Sequence, residues 1–140
     1  MLSVAVEDGR VCAVRFGPPP RVAVEDPLLT VAVRQLREYL DGARQGFDLP
    51  LEVRGGSAFE RAVWAQLALI DYAEMRTYGA IATALGDPGA ARAVGTARNR
   101  NPIAIVLPCH RVVGSDHKLV GYAGGIERKI ALLRLEGVEL

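Results

Sequence analysis

The sequence predicts an α+β fold in which a small α/β lobe precedes a mostly helical one. Three observations carry this prediction: apolar residues alternate with period two near the N-terminus, helical periodicity dominates the second half, and a connector with few periodic apolar residues separates them. The 140 residues suffice for one core, or for a core with a small additional lobe. We therefore predict an N-terminal lobe with its connector at 1–56 and a C-terminal domain at 57–140.

The first lobe begins with a predicted β-hairpin. Apolar residues alternate on both sides of Asp8-Gly9, and Asp-Gly is a favoured hairpin turn. Cys12 falls inside the second strand. The prolines at 18–20 interrupt regular pairing, and one further extended piece is expected at 21–24.

One helix is predicted to complete this lobe. Thr30 is expected to cap a helix over 31–40 that Asp41-Gly42 ends. Its inward stripe is predicted at Val33, Leu36 and Leu40.

The second lobe is predicted to contain a pair of short helices. Ser57 and Glu60 form a capping-box pattern before an amphipathic helix. Thr77 then caps a helix over 78–85, and Pro88 suits the first turn of another helix that ends near position 98. Two short helices joined by a tight glycine-containing turn have helix-turn-helix proportions. The apolar face of the first helix is expected at Phe59, Val63, Trp64, Leu67 and Ile70.

An abrupt change of character follows in the string IAIVLPCHRVV. We expect 103–107 to be a buried apolar strand, with Cys109, His110 and Arg111 directly after it. A glycine-rich loop over 114–125 leads to a final helix over 126–135, capped by a glycine at position 137. The inward residues of that helix are predicted to be Ile130, Leu133 and Leu135.

Composition excludes several classes of protein. A net charge of +1 and 50% hydrophobic residues are ordinary for a globular chain. Cys12 and Cys109 form neither a disulfide framework nor a zinc-ligand pattern, so we expect no metal and no cofactor. Without a signal peptide or an apolar run of about 18 residues, we expect a cytoplasmic protein away from any membrane, and a monomer.

Cys109 has two interpretations on chemistry alone. A free cysteine beside an apolar run is usually a small buried hydrophobe. However, His110 and Arg111 are costly to bury without partners, and a cysteine beside a histidine is the layout of an activated nucleophile. Adjacency does not establish contact, so both interpretations stay open at this point.

Local charge suggests a nucleic-acid partner. Between positions 76 and 111 there are five arginines (76, 92, 98, 100 and 111) against one acid, Asp87. Such a segment is either a solvated basic helix face or a DNA-binding patch, and its coincidence with helix-turn-helix proportions favours DNA.

The string PCHRV, with RTYGAIA, GDPGAARAVGTARNRNP, GYAGG and LLRLEG around it, resembles the O6-alkylguanine-DNA alkyltransferases, also called methylated-DNA–protein-cysteine methyltransferases. The resemblance is detailed from about position 59 to 137. It implies a ribonuclease-H-like N-terminal lobe and a C-terminal domain with a winged-helix-like helix-turn-helix. It also implies a single-turnover repair protein that acts on O6-alkylguanine in double-stranded DNA.

The resemblance assigns three catalytic residues. Cys109 corresponds to the nucleophile that takes the alkyl group as a thiolate. His110 corresponds to the base, acting through a water, and Glu136 orients it in the manner of hydrolytic triads. Taken alone, Glu136 would be interpreted as a surface carboxylate at a helix end.

The resemblance also implies that the nucleotide is flipped out of the stack. Arg92 corresponds to the arginine that fills the vacated space in the minor groove. Arg98 lies on the same helix and is assigned to DNA binding. The small residues that let this helix approach DNA are Ala91, Ala93 and Gly95.

Six residues are expected to bind the substrate base or frame its pocket. Tyr78 helps to rotate the nucleotide, Asn101 ties the helix pair to the cysteine segment, and Lys129 lies near O6. Core packing, an ordinary turn asparagine and a surface lysine are the respective alternatives. The remaining three, Val120, Tyr122 and Ala123, line the pocket.

Two departures from the family pattern bear on the prediction. Ala123 lacks the hydroxyl that many relatives carry, and Asp71 and Ala73 replace the Pro and Gly of the turn before RTYG.

The competing functions are a non-catalytic module that binds alkylated DNA, which the presence of Cys109 disfavours, and a helix-turn-helix regulator.

Overall fold

The computed structural model describes residues 2–18, 26–119, 121–122 and 124–140. Helices and short strands form two compact units, so the α+β prediction is confirmed. One unit comprises Met1–Gly55 with Pro102–Val106, and the other comprises Gly56–Asn101 with Leu107–Leu140. The extended piece expected at 21–24 lies outside the described residues.

The first unit is built on the expected hairpin. Strands β1 (Leu2–Glu7) and β2 (Arg10–Phe16) pair antiparallel, with a register shift between Ala5 and Val6. The turn residues Asp8 and Gly9 have φ 52° and 74°, which suits the twist of a tight hairpin.

Helix α1 (Pro27–Leu40) begins four residues before its predicted start. The Asp26 carboxylate accepts a hydrogen bond from the Leu28 amide at 2.8 Å, and Pro27 occupies the first turn. Asp26-Pro27 is a complete helix-start signal, so Thr30 lies inside the helix and the predicted cap was wrong. The predicted inward stripe is only partly correct, because Leu36 is buried whereas Leu40 is 42% exposed. The buried residues of α1 are Ala32, Gln35, Leu36 and Tyr39.

The second unit opens with helix α2 (Ala58–Leu67). Its capping box is confirmed: Glu60 N–H donates to Ser57 Oγ at 3.1 Å, and Ser57 N–H donates to Glu60 Oε1 at 3.0 Å. Buried Trp64 donates its indole N–H to the Ala97 carbonyl at 2.8 Å. Ile70 lies beyond the helix end but is still buried.

The predicted pair of short helices follows. Strand β3 (Arg76–Thr77) leads into α3 (Tyr78–Ala84), whose first turn is capped by the Thr77 hydroxyl. A 3-10 turn at Pro88–Ala90 then precedes α4 (Ala91–Asn99). The helix predicted to begin at Pro88 therefore has an irregular first turn.

The predicted strand at 103–107 was wrong. Ile103 makes one isolated bridge to Val14, and the following residues form turns. Ile105 has φ 70°, a left-handed conformation that is unfavourable for a β-branched residue and incompatible with a continuing strand. The apolar run is nevertheless buried almost throughout, as expected.

The reactive string forms a 3-10 helix, Cys109–Arg111, followed by strand β4 (Val112–Val113). Strand β4 pairs parallel with β3, which places this segment beside the start of α3. Helix α5 (Ile126–Leu135) has the predicted bounds and glycine cap, with φ 91° at Gly137.

The buried face of α5 differs from the predicted stripe. Leu132 and Leu133 are buried together with Lys129, whereas Ile130 and Leu135 are only half-buried. Among the helices of the described residues, none combines the length and apolarity needed to cross a bilayer.

We predict that Gly56→Ala destabilises the protein more than Gly55→Ala. Both glycines have positive φ, 82° and 73°, and left-handed backbone costs an alanine roughly 1–2 kcal/mol. A Cβ at Gly56 would lie 2.6 Å from the Trp64 ring, whereas one at Gly55 would meet no heavy atom within 4 Å. Overpacking adds roughly 1–3 kcal/mol. Urea unfolding of both variants measures the difference, and equal destabilisation would contradict close packing of Gly56 on Trp64.

Candidate active site

Cys109 is held in a buried position at the start of its 3-10 helix. The residue is only 4% exposed. Asn101, which follows α4, donates from Nδ2 to the Leu107 carbonyl at 2.7 Å, so it ties the end of α4 to the residues just before Cys109. The side chains of Asn101 and Tyr122 both interact with the cysteine in ways that favour its thiolate.

Burial keeps Cys109 in its neutral form at rest. Loss of solvation raises the pKa of its thiol, and this effect outweighs the opposing contributions of Asn101, Arg98 and Tyr122. A neighbouring base is therefore required to form the nucleophile.

His110 and Glu136 form a buried pair. His110 donates from Nε2 to Glu136 Oε2 at 2.8 Å, and neither side chain has exposed surface. Glu136 is therefore not the surface carboxylate that its position alone suggested. Burial lowers the pKa of His110, while the hydrogen bond and charge of Glu136 act in the opposite direction. The histidine is consequently neutral near pH 7 and able to accept a proton.

Arg111 also binds Glu136, although the sequence alone did not assign Arg111 to the site. Its Nε donates to Glu136 Oε1 at 2.9 Å and its Nη2 donates to Oε2 at 2.9 Å. Its Nη1 donates to the Ile70 carbonyl at 2.6 Å, and its guanidinium lies 5.7 Å from the centre of the Tyr72 ring. The sequence contained a signal for this contact, because a buried arginine needs a carboxylate partner to offset the cost of its desolvation.

The turn after α2 supplies a further contact to Glu136. The Ala73 amide donates to Glu136 Oε1 at 3.0 Å, and Ala73 adopts φ 64°. This left-handed conformation explains why the family pattern has glycine here. The turn forms with alanine, and its amide donates to the Glu136 carboxylate.

The residues predicted to bind the substrate base differ in how deeply they are buried. Tyr78 is half-buried, and burial raises its pKa. Lys129 has no exposed surface and donates from Nζ to the Val112 carbonyl at 2.5 Å, so it is not a surface lysine. Burial is the main cause that lowers the pKa of Lys129 to about 8, followed by the charge of Arg98. Val120 and Ala123 lie outside the described residues.

The residues predicted to bind DNA lie on different sides of α4. Arg92 and Ala93 are exposed, and Ala91 and Gly95 are half-buried. Arg98 is only 2% exposed, and its guanidinium carbon lies 5.2 Å from the centre of the Tyr78 ring. Its burial does not favour a phosphate contact.

The five arginines of the basic segment therefore do not form one surface. Arg98 and Arg111 are buried, and Arg100 lies 3.5 Å from Glu60. Arg92 remains on the exposed side of α4. Within the described ranges, no three His, Cys, Asp or Glu residues are grouped so that they could hold a metal ion.

We predict that His110 makes the protein less stable at mildly acidic pH. The pKa of His110 is lowered in the folded protein, whereas the unfolded chain binds the proton near the ordinary value of 6.5. The stability that His110 contributes is therefore fully present above that value and is lost as pH falls below it. Urea unfolding measures the slope of stability against pH.

His110→Gln should reduce that slope, while His117→Gln, at an exposed histidine in the loop after β4, should leave it unchanged. An unchanged slope in His110→Gln would contradict a neutral, buried histidine.

The C-terminal part of the chain matches a known protein family. Residues 58–138 match the model described as 6-O-methylguanine DNA methyltransferase, DNA binding domain. A methylated-DNA–protein-cysteine methyltransferase of Mycolicibacterium paratuberculosis is 56% identical over 105 residues, covering 75% of this chain and 63% of the relative. The protein of the same name from Methanosarcina barkeri is 54% identical over 105 residues, covering 75% of this chain and 66% of the relative. The chain thus matches slightly less than two thirds of these relatives.

Solved structures agree with this match. Mycobacterium tuberculosis OGT in complex with DNA has a TM-score of 0.87 and 46% identity, covering 96% of this chain and 85% of that one. Schizosaccharomyces pombe Atl1, in complex with damaged DNA containing O6-carboxymethylguanine, has a TM-score of 0.52 and 34% identity, covering 61% of this chain and 82% of that one. The family-model match extends over more than half of the chain, and the chain therefore belongs to the 6-O-methylguanine DNA methyltransferase family.

Proposed function

We propose that this protein removes the alkyl group from O6-alkylguanine in double-stranded DNA by transferring it to its own Cys109. The observation that carries the proposal is the buried Cys109 directly before a neutral His110 that Glu136 and Arg111 hold in place. The names of the relatives and the DNA complex of the M. tuberculosis protein support it. Because the S-alkyl cysteine is a stable thioether, each molecule acts once.

The chemistry is a displacement at carbon. His110 takes the thiol proton of Cys109, through a water, and Glu136 stabilises the resulting imidazolium. The sulfur then bonds to the alkyl carbon as the bond from that carbon to guanine O6 breaks. The electron pair of the broken bond stays on guanine, which is then protonated, and in this proposal Tyr78 donates a hydrogen bond to the base. Tyr122 and Lys129 are the described residues proposed to frame the pocket.

DNA binding is proposed to place α4 in the minor groove, with α3 and α4 acting as a winged-helix-like helix-turn-helix. The small residues Ala91, Ala93 and Gly95 permit close approach, and exposed Arg92 fills the space left by the flipped nucleotide. We further propose a ribonuclease-H-like lobe at 1–56, an alkyltransferase domain at 57–140, and action as a monomer.

A non-catalytic damage-binding protein is the second candidate. The structural likeness to S. pombe Atl1 bound to damaged DNA favours it. Cys109 distinguishes the two candidates, because a binding module needs no buried thiol beside a base.

We predict a gain of one methyl group on the Cys109 peptide after incubation with an O6-methylguanine duplex. Peptide mass spectrometry measures the gain, which should reach one methyl per molecule because the sulfur is not regenerated. Cys109→Ser should gain none, whereas Cys12→Ser should react as the unmodified protein does. A Cys109 peptide of unchanged mass would exclude the catalytic proposal and leave damage binding.

We also predict that Arg92→Ala slows transfer from saturating duplex DNA much more than transfer from free O6-benzylguanine. A residue that replaces the flipped base matters only when a duplex must be opened. Arg100→Ala is the matched control, because Arg100 is an exposed arginine beyond the end of α4 that lies 3.5 Å from Glu60, and its loss should leave the rate at saturation unchanged. Equal slowing of both reactions by Arg92→Ala would contradict the wedge role.

A further inference from the structure

Arg98 is a charged side chain buried at the end of α4, the helix that Asn101 joins to the Cys109 segment, and its charge acts on the Cys109 thiol. It is 2% exposed and lies in the last turn of α4. Among the described residues, no hydrogen-bond acceptor reaches its Nε and Nη1 atoms. A buried guanidinium with two nitrogen atoms that donate to no acceptor is costly, and such groups in native proteins call for an explanation.

Two sets of contacts hold Arg98 and the end of α4 in place relative to the Cys109 segment. Its guanidinium is stacked over the Tyr78 ring at 5.2 Å, an arrangement that holds a cation in place without a carboxylate. The neighbouring Ala97 carbonyl accepts the Trp64 indole N–H, and Asn101 joins the end of α4 to Leu107, two residues before the cysteine. Arg98 therefore cannot move away from Cys109 without breaking these contacts.

Other charges near the cysteine are either matched or titratable. The charge of Arg111 is compensated by the Glu136 carboxylate, which also binds His110. Lys129 on α5 interacts electrostatically with Cys109, but its pKa is lowered to about 8, so its charge is lost in mildly alkaline solution. An arginine guanidinium, by contrast, is not deprotonated in proteins. The remaining titratable groups that face this region are the hydroxyls of Tyr78 and Tyr122.

We infer that Arg98 is a positioning residue of the Cys109 site: its buried guanidinium, fixed on the Tyr78 ring, stabilises the sulfur as a thiolate once His110 takes the proton. The sulfur gains one negative charge as the imidazole gains one positive charge, so no further reactant is needed. The inference rests on the proposed function only for its consequence in repair. It assigns Arg98 to the thiol rather than to DNA phosphate.

The experiment measures alkylation of Cys109 by iodoacetamide as a function of pH, followed by the mass of its peptide. Arg98→Met keeps the apolar stem and approximate volume but removes the charge. We expect the midpoint of the pH profile to rise by about one unit, with alkylation about tenfold slower below the midpoint. Arg98→Lys retains a cation, so the midpoint of its pH profile should lie close to that of the unmodified protein. The Cys12 peptide in the same sample is the internal control and should not change.

A midpoint that stays in place in Arg98→Met would overturn the inference, even if alkylation were slower at every pH, because uniform slowing indicates a packing role. Thermal unfolding verifies that the variant folds. If Arg98→Met does not unfold cooperatively, Arg98→Gln takes its place with the same expected shift. Iodoacetamide requires no DNA, so a shifted midpoint without methyl transfer in the unmodified protein would refute the proposed function and leave this inference standing.

Discussion

The buried Glu136 carboxylate is the interaction on which the rest of the site depends. Its two oxygens accept hydrogen bonds from the His110 ring, the Arg111 guanidinium and the Ala73 amide. These donors come from the reactive 3-10 helix and from the turn after α2, while Glu136 itself ends α5. Removing one member of a buried ion pair strands the other and costs roughly 3–5 kcal/mol. One carboxylate therefore joins three separate parts of the second unit and fixes the histidine.

Two kinds of group make up the site: side chains whose charged forms are disfavoured by burial, and an ion pair. Burial shifts the pKa values of Cys109, His110 and Lys129 toward their neutral forms. Arg111 and Glu136 instead compensate each other directly. In the proposed reaction, the proton that leaves the sulfur goes to an imidazole whose carboxylate partner is already bound by Arg111, so little rearrangement is required when the nucleophile forms.

Helix α4 serves two environments through its two faces. Its exposed face carries Arg92 among small residues, which suits close approach to a partner surface. Its buried face carries Val94, Ala97 and Arg98, and the Ala97 carbonyl is bonded to Trp64. The rigid anchoring of one face allows the other to act as a fixed platform, and Asn101 then connects this helix to the cysteine segment.

Local signals determined most elements from the sequence alone. The Asp8-Gly9 hairpin, the Ser57 capping box and the bounds of α5 were predicted because each depends on residues within a few positions of one another. The start of α1 could also have been found, since Asp26-Pro27 is a stronger start signal than Thr30. The strand expected at 103–107 failed because an apolar run gives burial but not backbone conformation, and Ile105 turns the chain.

Some residues of the candidate site were likewise indicated by the sequence, whereas others were found only in the tertiary structure. The string PCHRV and its family resemblance indicated Cys109, His110 and Glu136 without any coordinates. Only the tertiary structure decided that Arg111 clamps Glu136 and that Lys129 and Arg98 are buried. The physical reason is distance along the chain: Arg111 meets its carboxylate partner 25 residues away and its carbonyl partner 41 residues away. Sequence periodicity reports which face of an element is apolar, whereas the partner that makes a buried charge tolerable is chosen by packing.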